Sequence, residues 1–118
     1  DRYAYSGAAF TSAKGYDLEW CKNPDRGLPA PDAIIFLDMP IEEAAKRGDF
    51  GEERYEKIDF QKAVREQFMA LKAEDETSSV PWQVIDANQT IEAVQVEIND
   101  VVSKILGEVQ GTPIRKLW

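Results

Sequence analysis

Residues 33–37, with the sequence AIIFL, form an unbroken apolar run that Asp38, Met39 and Pro40 close. The run has the length of a strand and is rich in β-branched and aromatic side chains. Because every position is apolar, the run is typical of a strand buried on both faces of a parallel sheet. Pro40 suits the start of a helix, which the pattern predicts over residues 41–47.

The rest of the chain predicts further helices and one more strand. Residues 82–86, WQVID, are predicted to form the second strand. Helices are predicted over residues 5–14, 17–22, 59–75 and 90–107. From the first strand onward, the order strand, helix, helix, strand and helix is typical of the α/β class, in which helices flank a parallel sheet.

Capping residues set the predicted ends of these helices. Asp17, Asp59 and Thr90 can accept hydrogen bonds from a first helical turn, whereas Gly15 and Gly107 are typical stops. The last helix carries one apolar stripe, formed by Ile91, Val94, Ile98, Val101 and Ile105.

Two strands are few for an α/β sheet, which usually has about five or six. A strand as apolar as residues 33–37 also needs neighbours on both edges. We therefore predict that these 118 residues are the second half of a larger domain.

Composition narrows the possible functions. The 118 residues are 43% hydrophobic and 10% aromatic, as expected of one folded domain. A net charge of −8 argues against general binding to nucleic acid or to an anionic membrane, because both need a basic surface. The absence of His excludes His-based general base catalysis and His-ligated metals. No apolar run approaches membrane-spanning length.

Cys21 and four aromatic residues are predicted to pack inside the protein. A lone cysteine cannot form an internal disulfide and fits a reducing compartment. We expect an intracellular protein, in the cytoplasm rather than in the nucleus or a mitochondrion. Cys21 lies in the run LEWC, so we interpret it as a core residue rather than a nucleophile. Tyr3, Tyr5, Trp20 and Trp82 are interpreted as packing residues.

The first residues of the chain, DRYAYSGAAFT, hold the residue types that a phosphate ligand needs. Arg2 offers a rigid fork of donors matched to phosphate, and Asp1 beside it can hold that guanidinium or a metal-bound water. By itself the pair is more typical of an exposed ion pair than of a binding site. The serine, glycine, phenylalanine and threonine that follow within reach of one ligand favour a binding site.

This opening stretch resembles the DR(Y/H) segment of thymidylate kinases of the eukaryotic type. Further segments of that family's pattern follow in the same order: WCK at 20–22, PD…GLP…PD at 24–32, AAKRG…FG…ERYE at 44–56 and DA…IEAV at 86–94. The chain contains no G-x-x-x-x-G-K-[ST] phosphate loop. The resemblance thus implies that residues 1–118 are the C-terminal half of a P-loop nucleoside monophosphate kinase, with the last two strands and C-terminal helices present and the N-terminal P-loop half missing.

The resemblance assigns residues 1–15 to the site of the acceptor nucleotide, dTMP. It implies that Arg2 grips the monophosphate and acts in catalysis with Asp1, which would work through a magnesium-bound water rather than as a direct metal ligand. The other residues implied to contact dTMP are Ser6, Gly7, Phe10, Thr11, Tyr55 and Glu56. Phe10 would pack against the deoxyribose, although a purely core role stays open.

The resemblance also implies an ATP site and a lid over residues 47–57. Arg47 would lie over the adenine through its flat guanidinium, and Arg54 would belong to the lid. Asn88 and Gln89 would meet the adenine edge.

Residues 48–56, GDFGEERYE, break the helical pattern with two glycines and dense charge. We interpret them as a mobile loop between two helices. Because residues 47–56 hold four acids against two arginines, a solvated charged turn is the alternative to a nucleotide-binding lid.

The activity that the resemblance implies is ATP + dTMP → ADP + dTDP with Mg²⁺, a step of dTTP biosynthesis carried out by an intracellular homodimer. The 118 residues alone are predicted to be inactive, because they lack a phosphate loop. Two alternatives stay open: a catalytically inactive nucleotide-binding or interaction module, and a kinase-like domain of a larger nucleotide kinase.

Overall fold

The two predicted strands pair with each other in parallel, and helices flank them, which confirms the α/β class. The structure, a computed structural model, describes residues 2–47, 54–78 and 80–118, with the backbone alone at residues 54–56. Its elements along the chain are α1 (Ala4–Ala13), α2 (Leu18–Lys22), a short 3₁₀ turn (Asn23–Asp25), β1 (Ile34–Asp38), α3 (Ile41–Arg47), α4 (Arg54–Asp75), β2 (Trp82–Asp86) and α5 (Ile91–Glu108).

The register of the strand pair brings the carboxyl ends of both strands together. Ile34 lies opposite Trp82, and Asp38 lies opposite Asp86. Ligands of open α/β sheets bind beyond the carboxyl ends of the strands, so this edge is where a site is expected.

β1 is less buried than its sequence predicts. Its residues are half-buried, and Leu37 is 49% exposed, so the prediction of burial on both faces is wrong for the described residues. The reason is that β2 is the only strand beside β1 within the described ranges, which leaves the other edge of β1 without a strand neighbour there.

The ends of α1 and α2 follow the predicted capping. Gly15 has a φ of 107°, a conformation that residues with a side chain rarely adopt, and α1 ends just before it. At the start of α2, the Asp17 side chain accepts a hydrogen bond from the backbone N–H of Trp20 at 3.0 Å. Local sequence therefore decides where this helical pair begins and ends.

The core lies where α1 packs against α4 and α2. Small residues of α1 allow close approach of the helices, and Ala9 is fully buried. Cys21 is buried as predicted, and burial raises the pKa of its thiol, which suits a packing role. The buried apolar cluster consists of Ala4, Tyr5, Ala8, Ala9, Cys21, Val64, Leu71 and Leu117.

Two predicted helix ends are wrong. α4 begins at Arg54 rather than after Asp59, because residues 54–58 contain no glycine or proline that would stop the helix. α5 runs past Gly107 to Glu108, because the N–H of Val109 still bonds to the Ile105 carbonyl at 3.0 Å. The earlier start of α4 also means that residues 54–56 are helical, so their interpretation as part of a loop is wrong.

The predicted apolar stripe of α5 is shorter than the sequence suggests. Ile91 is 83% exposed in the first turn, so it does not belong to the packed face. The remaining stripe residues are half-buried, and α5 packs against β2. They are Val94, Ile98, Val101 and Ile105.

Only two of the four aromatic residues interpreted as packing residues lie inside. Tyr5 is buried, and its ring meets the half-buried Trp82 edge-on at 5.6 Å. Tyr3 and Trp20 are exposed, which contradicts the prediction for both. Trp20 instead stacks on Tyr16 at the surface, with 5.5 Å between the ring centroids.

Residues 115–118, called the closing segment below, run antiparallel to the connector at residues 27–30. The Gly27 N–H donates to the Leu117 carbonyl at 2.9 Å, and the Leu117 N–H donates to the Leu28 carbonyl. Leu117 is 1% exposed, so its side chain lies in the core.

Candidate functional site

Arg2 lies directly over the ring of Phe10. The guanidinium carbon is 4.7 Å from the ring centroid, a cation–π contact that holds an exposed arginine beside the first helix. Two residues that the sequence assigns to the acceptor site are therefore in contact. Phe10 is half-buried and also meets Phe60 of α4 edge-on at 6.1 Å, so it packs on the core and supports Arg2 at the same time.

The other predicted acceptor residues share the less buried face of α1. Ser6 and Phe10, and likewise Gly7 and Thr11, are four residues apart and follow one another along the helix surface. Gly7 is exposed, and a side chain added there would meet nothing within 4 Å. Neither the backbone nor the packing of the described residues requires a glycine at this position, which leaves room for a ligand to approach.

Two cavities flank Arg2 near the carboxyl end of β1. One, of about 520 Å³, is lined by Arg2, Ser6 and β1 together with neighbouring residues. The other, of about 220 Å³, is lined by Arg2 and Phe10 and by an ion pair between the strand end and α4. Arg2 thus stands between two open spaces rather than on a flat surface.

That ion pair joins Asp38, the last residue of β1, to Arg65 of α4. The Arg65 Nε and Nη2 atoms donate to the two carboxylate oxygens of Asp38 at 2.8 and 2.7 Å. The bidentate bond from Arg65 holds the pKa of the Asp38 carboxyl below its usual range, and it raises the pKa of Arg65 in turn. The sequence alone does not identify this pair, because an acid directly after a predicted strand is the one signal that it offers.

The predicted adenine-site residues lie at the end of β2. The Arg47 Nη2 atom donates to the Asn88 side-chain oxygen at 3.4 Å, although 41 residues separate them in the chain. The Gln89 amide donates to the Asp86 carbonyl at 2.6 Å and to the Glu97 carboxylate at 2.8 Å, so it is tied to its own strand end and to α5. The structure thus brings Arg47 and Asn88 together, with Gln89 beside them in the chain.

Several predicted site residues cannot be located in this way. Asp1 and residues 48–53 of the lid lie outside the described residues, as do the side chains of Arg54, Tyr55 and Glu56. Their assignments stay predictions.

Within residues 2–47, 54–78 and 80–118, no group of three or more Cys, His, Asp or Glu side chains could hold a metal ion. No helix in the same ranges is long and apolar enough to cross a membrane.

The structure is that of an α/β protein, with an arginine and an aromatic ring near the carboxyl end of β1, where open α/β sheets bind their ligands. Comparison with known proteins identifies the family within the α/β class. The sequence pattern of the family described as thymidylate kinase matches residues 1–98. The chain belongs to the thymidylate kinase family.

Relatives from distant organisms match most or all of the chain. It is 48% identical to a thymidylate kinase of Danio rerio and 42% identical to one of Homo sapiens, in each case over 100% of this chain and 55% of the relative. It is 50% identical to a thymidylate kinase of Schizosaccharomyces pombe over 89% of this chain and 50% of that protein. The chain therefore spans about half the length of these relatives and corresponds to their C-terminal part.

A solved structure shows the same fold. The chain superposes on thymidylate kinase from Candida albicans with a TM-score of 0.77 at 28% identity. The match covers 100% of this chain and 60% of that structure. The α/β arrangement is therefore that of part of a P-loop nucleoside monophosphate kinase.

Proposed function

We propose that the full-length protein is a dTMP kinase, which transfers the γ-phosphate of ATP to dTMP and gives ADP and dTDP. The observation that carries this proposal is the contact of Arg2 with Phe10, at 4.7 Å, on the open face of α1. This contact places a guanidinium that can bind phosphate beside the apolar ring of Phe10. Both lie near the carboxyl end of β1, where α/β proteins bind nucleotides. Membership of the thymidylate kinase family supports the same reaction.

Arg2 is proposed to bind the 5′-phosphate of dTMP. Its planar guanidinium can donate two parallel hydrogen bonds to phosphate oxygens, and its charge offsets the negative charge that spreads over the transferring group. The exposed position of Arg2 between two cavities supports access for a ligand. No side chain of the protein is proposed to form a covalent intermediate, because phosphoryl transfer depends on the positioning of the substrates and on the stabilisation of charge.

The open face of α1 is proposed to bind the rest of dTMP. The hydroxyl groups of Ser6 and Thr11 can bond to the polar edge of the base, and Gly7 leaves space for close approach. Phe10 is proposed to pack against the deoxyribose and to leave no room for a 2′-hydroxyl. Residues 1–15 would together form the acceptor part of the domain.

ATP is proposed to lie at the end of β2. Arg47 would cover the adenine ring and Asn88 would meet its edge; their contact at 3.4 Å supports a shared role. Gln89 is proposed to act beside them. Residues 47–57, with Arg54, Tyr55 and Glu56, are proposed as the lid that closes over the nucleotides.

Mg²⁺ is proposed as the ion that ATP carries on its phosphates, which is its usual mode of binding in kinases. The described residues offer no cluster that would hold the ion by themselves. Asp1, the proposed contact through water, lies outside them.

We also propose that the protein works inside the cell as a homodimer. The single cysteine of the chain is buried and unpaired, which suits a reducing compartment. The homodimer is carried over from the resemblance to thymidylate kinases.

The test is a coupled assay of the full-length protein with ATP, Mg²⁺ and dTMP, together with the Arg2→Ala variant. Loss of one charged contact to the transition state typically costs about 3–4 kcal/mol, so kcat should fall by about two to three decades. The matched control is Arg26→Ala, because Arg26 is also exposed but bonds to Glu19 and Asn23, away from the open face of α1.

Two results would contradict the proposal. Binding of dTMP and ATP by the unsubstituted protein without turnover would identify an inactive nucleotide-binding module. Near-normal kcat in Arg2→Ala would reassign Arg2 to a structural role, provided that both variants keep the melting temperature of the unsubstituted protein.

A further inference from the structure

We propose that the closing segment, residues 115–118, positions the part of the chain that carries Arg2, and that Tyr3, Leu117 and Trp118 are positioning residues for the acceptor site. The inference rests on the proposed function. It concerns a segment beyond residues 1–98, which are the part that matches the family pattern. Its basis is two series of contacts from Leu117 and Trp118 that end at Tyr3, directly after Arg2, and at Tyr5, directly before Ser6.

The first contacts join the closing segment to the connector at residues 27–30. The N–H and the carbonyl of Leu117 both bond to this connector, and the Ala30 N–H donates to the Arg115 carbonyl at 2.7 Å. Gly27 has a φ of 88°, which lets the connector turn where it meets Leu117. With the Leu117 side chain 1% exposed, the segment is fixed by both backbone bonds and packing.

The next contact joins the connector to Tyr3. The Tyr3 hydroxyl donates to the Pro29 carbonyl at 2.8 Å, across 26 residues of sequence. Tyr3 is also the N-cap residue of α1, and its side chain makes no capping hydrogen bond within the helix. A distant bond to the connector, rather than a local cap, therefore anchors the start of the helix directly after Arg2.

A second route leads from Trp118 to Tyr5. The Trp118 ring meets the Tyr5 ring edge-on, with 5.1 Å between the centroids. Trp118 is held in its turn by Lys22, whose ammonium lies 5.4 Å from the indole centroid and bonds to Glu74 of α4 at 2.7 Å. Lys22 is buried and held by this ion pair, so the contact between its ammonium group and the Trp118 ring is fixed in position.

Both routes end next to the proposed acceptor residues. Tyr3 follows Arg2, and Tyr5 precedes Ser6. Since the Arg2 side chain is exposed, the position of its guanidinium depends on the backbone that follows it as well as on Phe10. A displacement of about 1 Å in a substrate-binding group is enough to change turnover strongly.

The experiment uses the full-length protein and measures KM for dTMP, KM for ATP, kcat and the melting temperature. The variants are Tyr3→Phe, which removes one oxygen atom and keeps the ring, and Trp118→Leu. Trp20→Leu is the matched control, because Trp20 is 58% exposed and stacks on Tyr16 away from the closing segment.

We expect Tyr3→Phe to lose about five- to tenfold in kcat/KM for dTMP, the value of a single net hydrogen bond. Trp118→Leu removes one aromatic and one cation–π contact of similar value and should lose a similar factor. KM for dTMP should rise, and KM for ATP should stay within about twofold, whereas the control should change neither. In the double variant, the fold loss of kcat/KM for dTMP should be smaller than the product of the two single losses, because the two substitutions act on the same segment.

The results separate this inference from the function on which it rests. No turnover of dTMP by the unsubstituted protein overturns the proposed function and this inference with it. Turnover with an unchanged KM for dTMP in Tyr3→Phe overturns the inference alone. A lower melting temperature with both KM values unchanged gives these residues a purely structural role and also overturns it.

Discussion

The helices around α1 and the strands beside α5 are packed in different ways. We call α1, α2, α4 and the closing segment the acceptor side, and β1, β2, α3 and α5 the sheet side. The acceptor side contains the whole buried apolar cluster. On the sheet side, α5 has no buried residue and every residue of β1 is at least partly exposed. Large apolar side chains are open to solvent there, including those of Leu37, Val84, Val96 and Leu106.

The proposed site residues divide along the same line. The well-packed acceptor side carries four of them on α1, and Arg2 contacts one of these, Phe10. The four are Ser6, Gly7, Phe10 and Thr11. Arg47 ends α3, and Asn88 follows β2, in the less buried part. The difference suggests that the proposed acceptor site is held by contacts within residues 1–118, whereas the sheet side needs additional contacts to cover its apolar surface.

The largest expected effect concerns the sheet side. We expect a polypeptide of residues 1–118, expressed by itself, to self-associate and to show no transfer of phosphate to dTMP. Among the described residues, one edge of β1 has no strand neighbour and so offers unpaired backbone groups, and the sequence holds no phosphate loop. Analytical ultracentrifugation and a coupled assay measure the two properties. A monodisperse, active monomer would contradict the difference between the two sides, because the sheet side would then need no contacts from outside residues 1–118.

The next effect concerns the core of the acceptor side. Leu71→Ala removes a side chain that is 1% exposed, and buried leucines typically cost about 2–5 kcal/mol of unfolding free energy when truncated. Val84→Ala, on the sheet side, removes a side chain that is 45% exposed and should cost less than about 1 kcal/mol. Urea unfolding of the full-length protein measures both. Equal losses would show that the sheet side is as well packed as the acceptor side in the whole protein.

A smaller effect comes from the ion pair that joins the two sides. Asp38→Asn should lower the free energy of unfolding by about 1 kcal/mol at neutral pH, a value reduced because both side chains are partly exposed. The folded pKa of Asp38 is lowered, so its stabilisation is complete above the unfolded pKa and is lost as the pH falls through the folded pKa.

The difference between the two proteins should therefore be constant at neutral pH and shrink below about pH 4. Unfolding by urea from pH 7 down to the acid limit of the folded state, at roughly constant ionic strength, measures it. Glu43→Gln, which removes the exposed ion pair with Lys46, is the control and should have little effect. A difference that does not change in acid would show that the pair does not lower the pKa of Asp38.

The smallest effect compares one glycine from each side. Gly7 in α1 and Gly107 in α5 are both helical, and an added side chain would meet nothing within 4 Å at either. Gly7→Ala and Gly107→Ala should each raise the unfolding free energy by about 0.5–1 kcal/mol, since glycine is a poor helix former. Only Gly7→Ala should also raise KM for dTMP. An unchanged KM in that variant would remove Gly7 from the proposed site.

The features that the sequence predicts well depend on neighbouring residues. Asp17 caps α2 through a residue three positions away, and the stop at Gly15 needs only its own backbone conformation. The strand at residues 82–86 is recognised by its own pattern and is observed with the same bounds.

The features that escape the sequence depend on residues far apart in the chain. Asp38 and Arg65 are separated by 27 residues, and nothing in either local pattern pairs them. Leu117 meets Leu28 across most of the chain, so the closing segment has no local signal as a structural element. The start of α4 at Arg54 is an exception, because it is a local feature: a good capping residue at Asp59 points to a later start, although residues 54–58 contain no glycine or proline.

The burial of Cys21 makes this chain suited to site-directed fluorescence labelling. Its thiol is shielded, and its raised pKa keeps it protonated, so maleimide reagents should react with it slowly. A cysteine introduced at Gly7, where a side chain has open space, would then be the one fast-reacting thiol of these 118 residues. Nucleotide bound at the proposed acceptor site should shield that cysteine, so the rate of labelling with and without dTMP would report binding without any turnover.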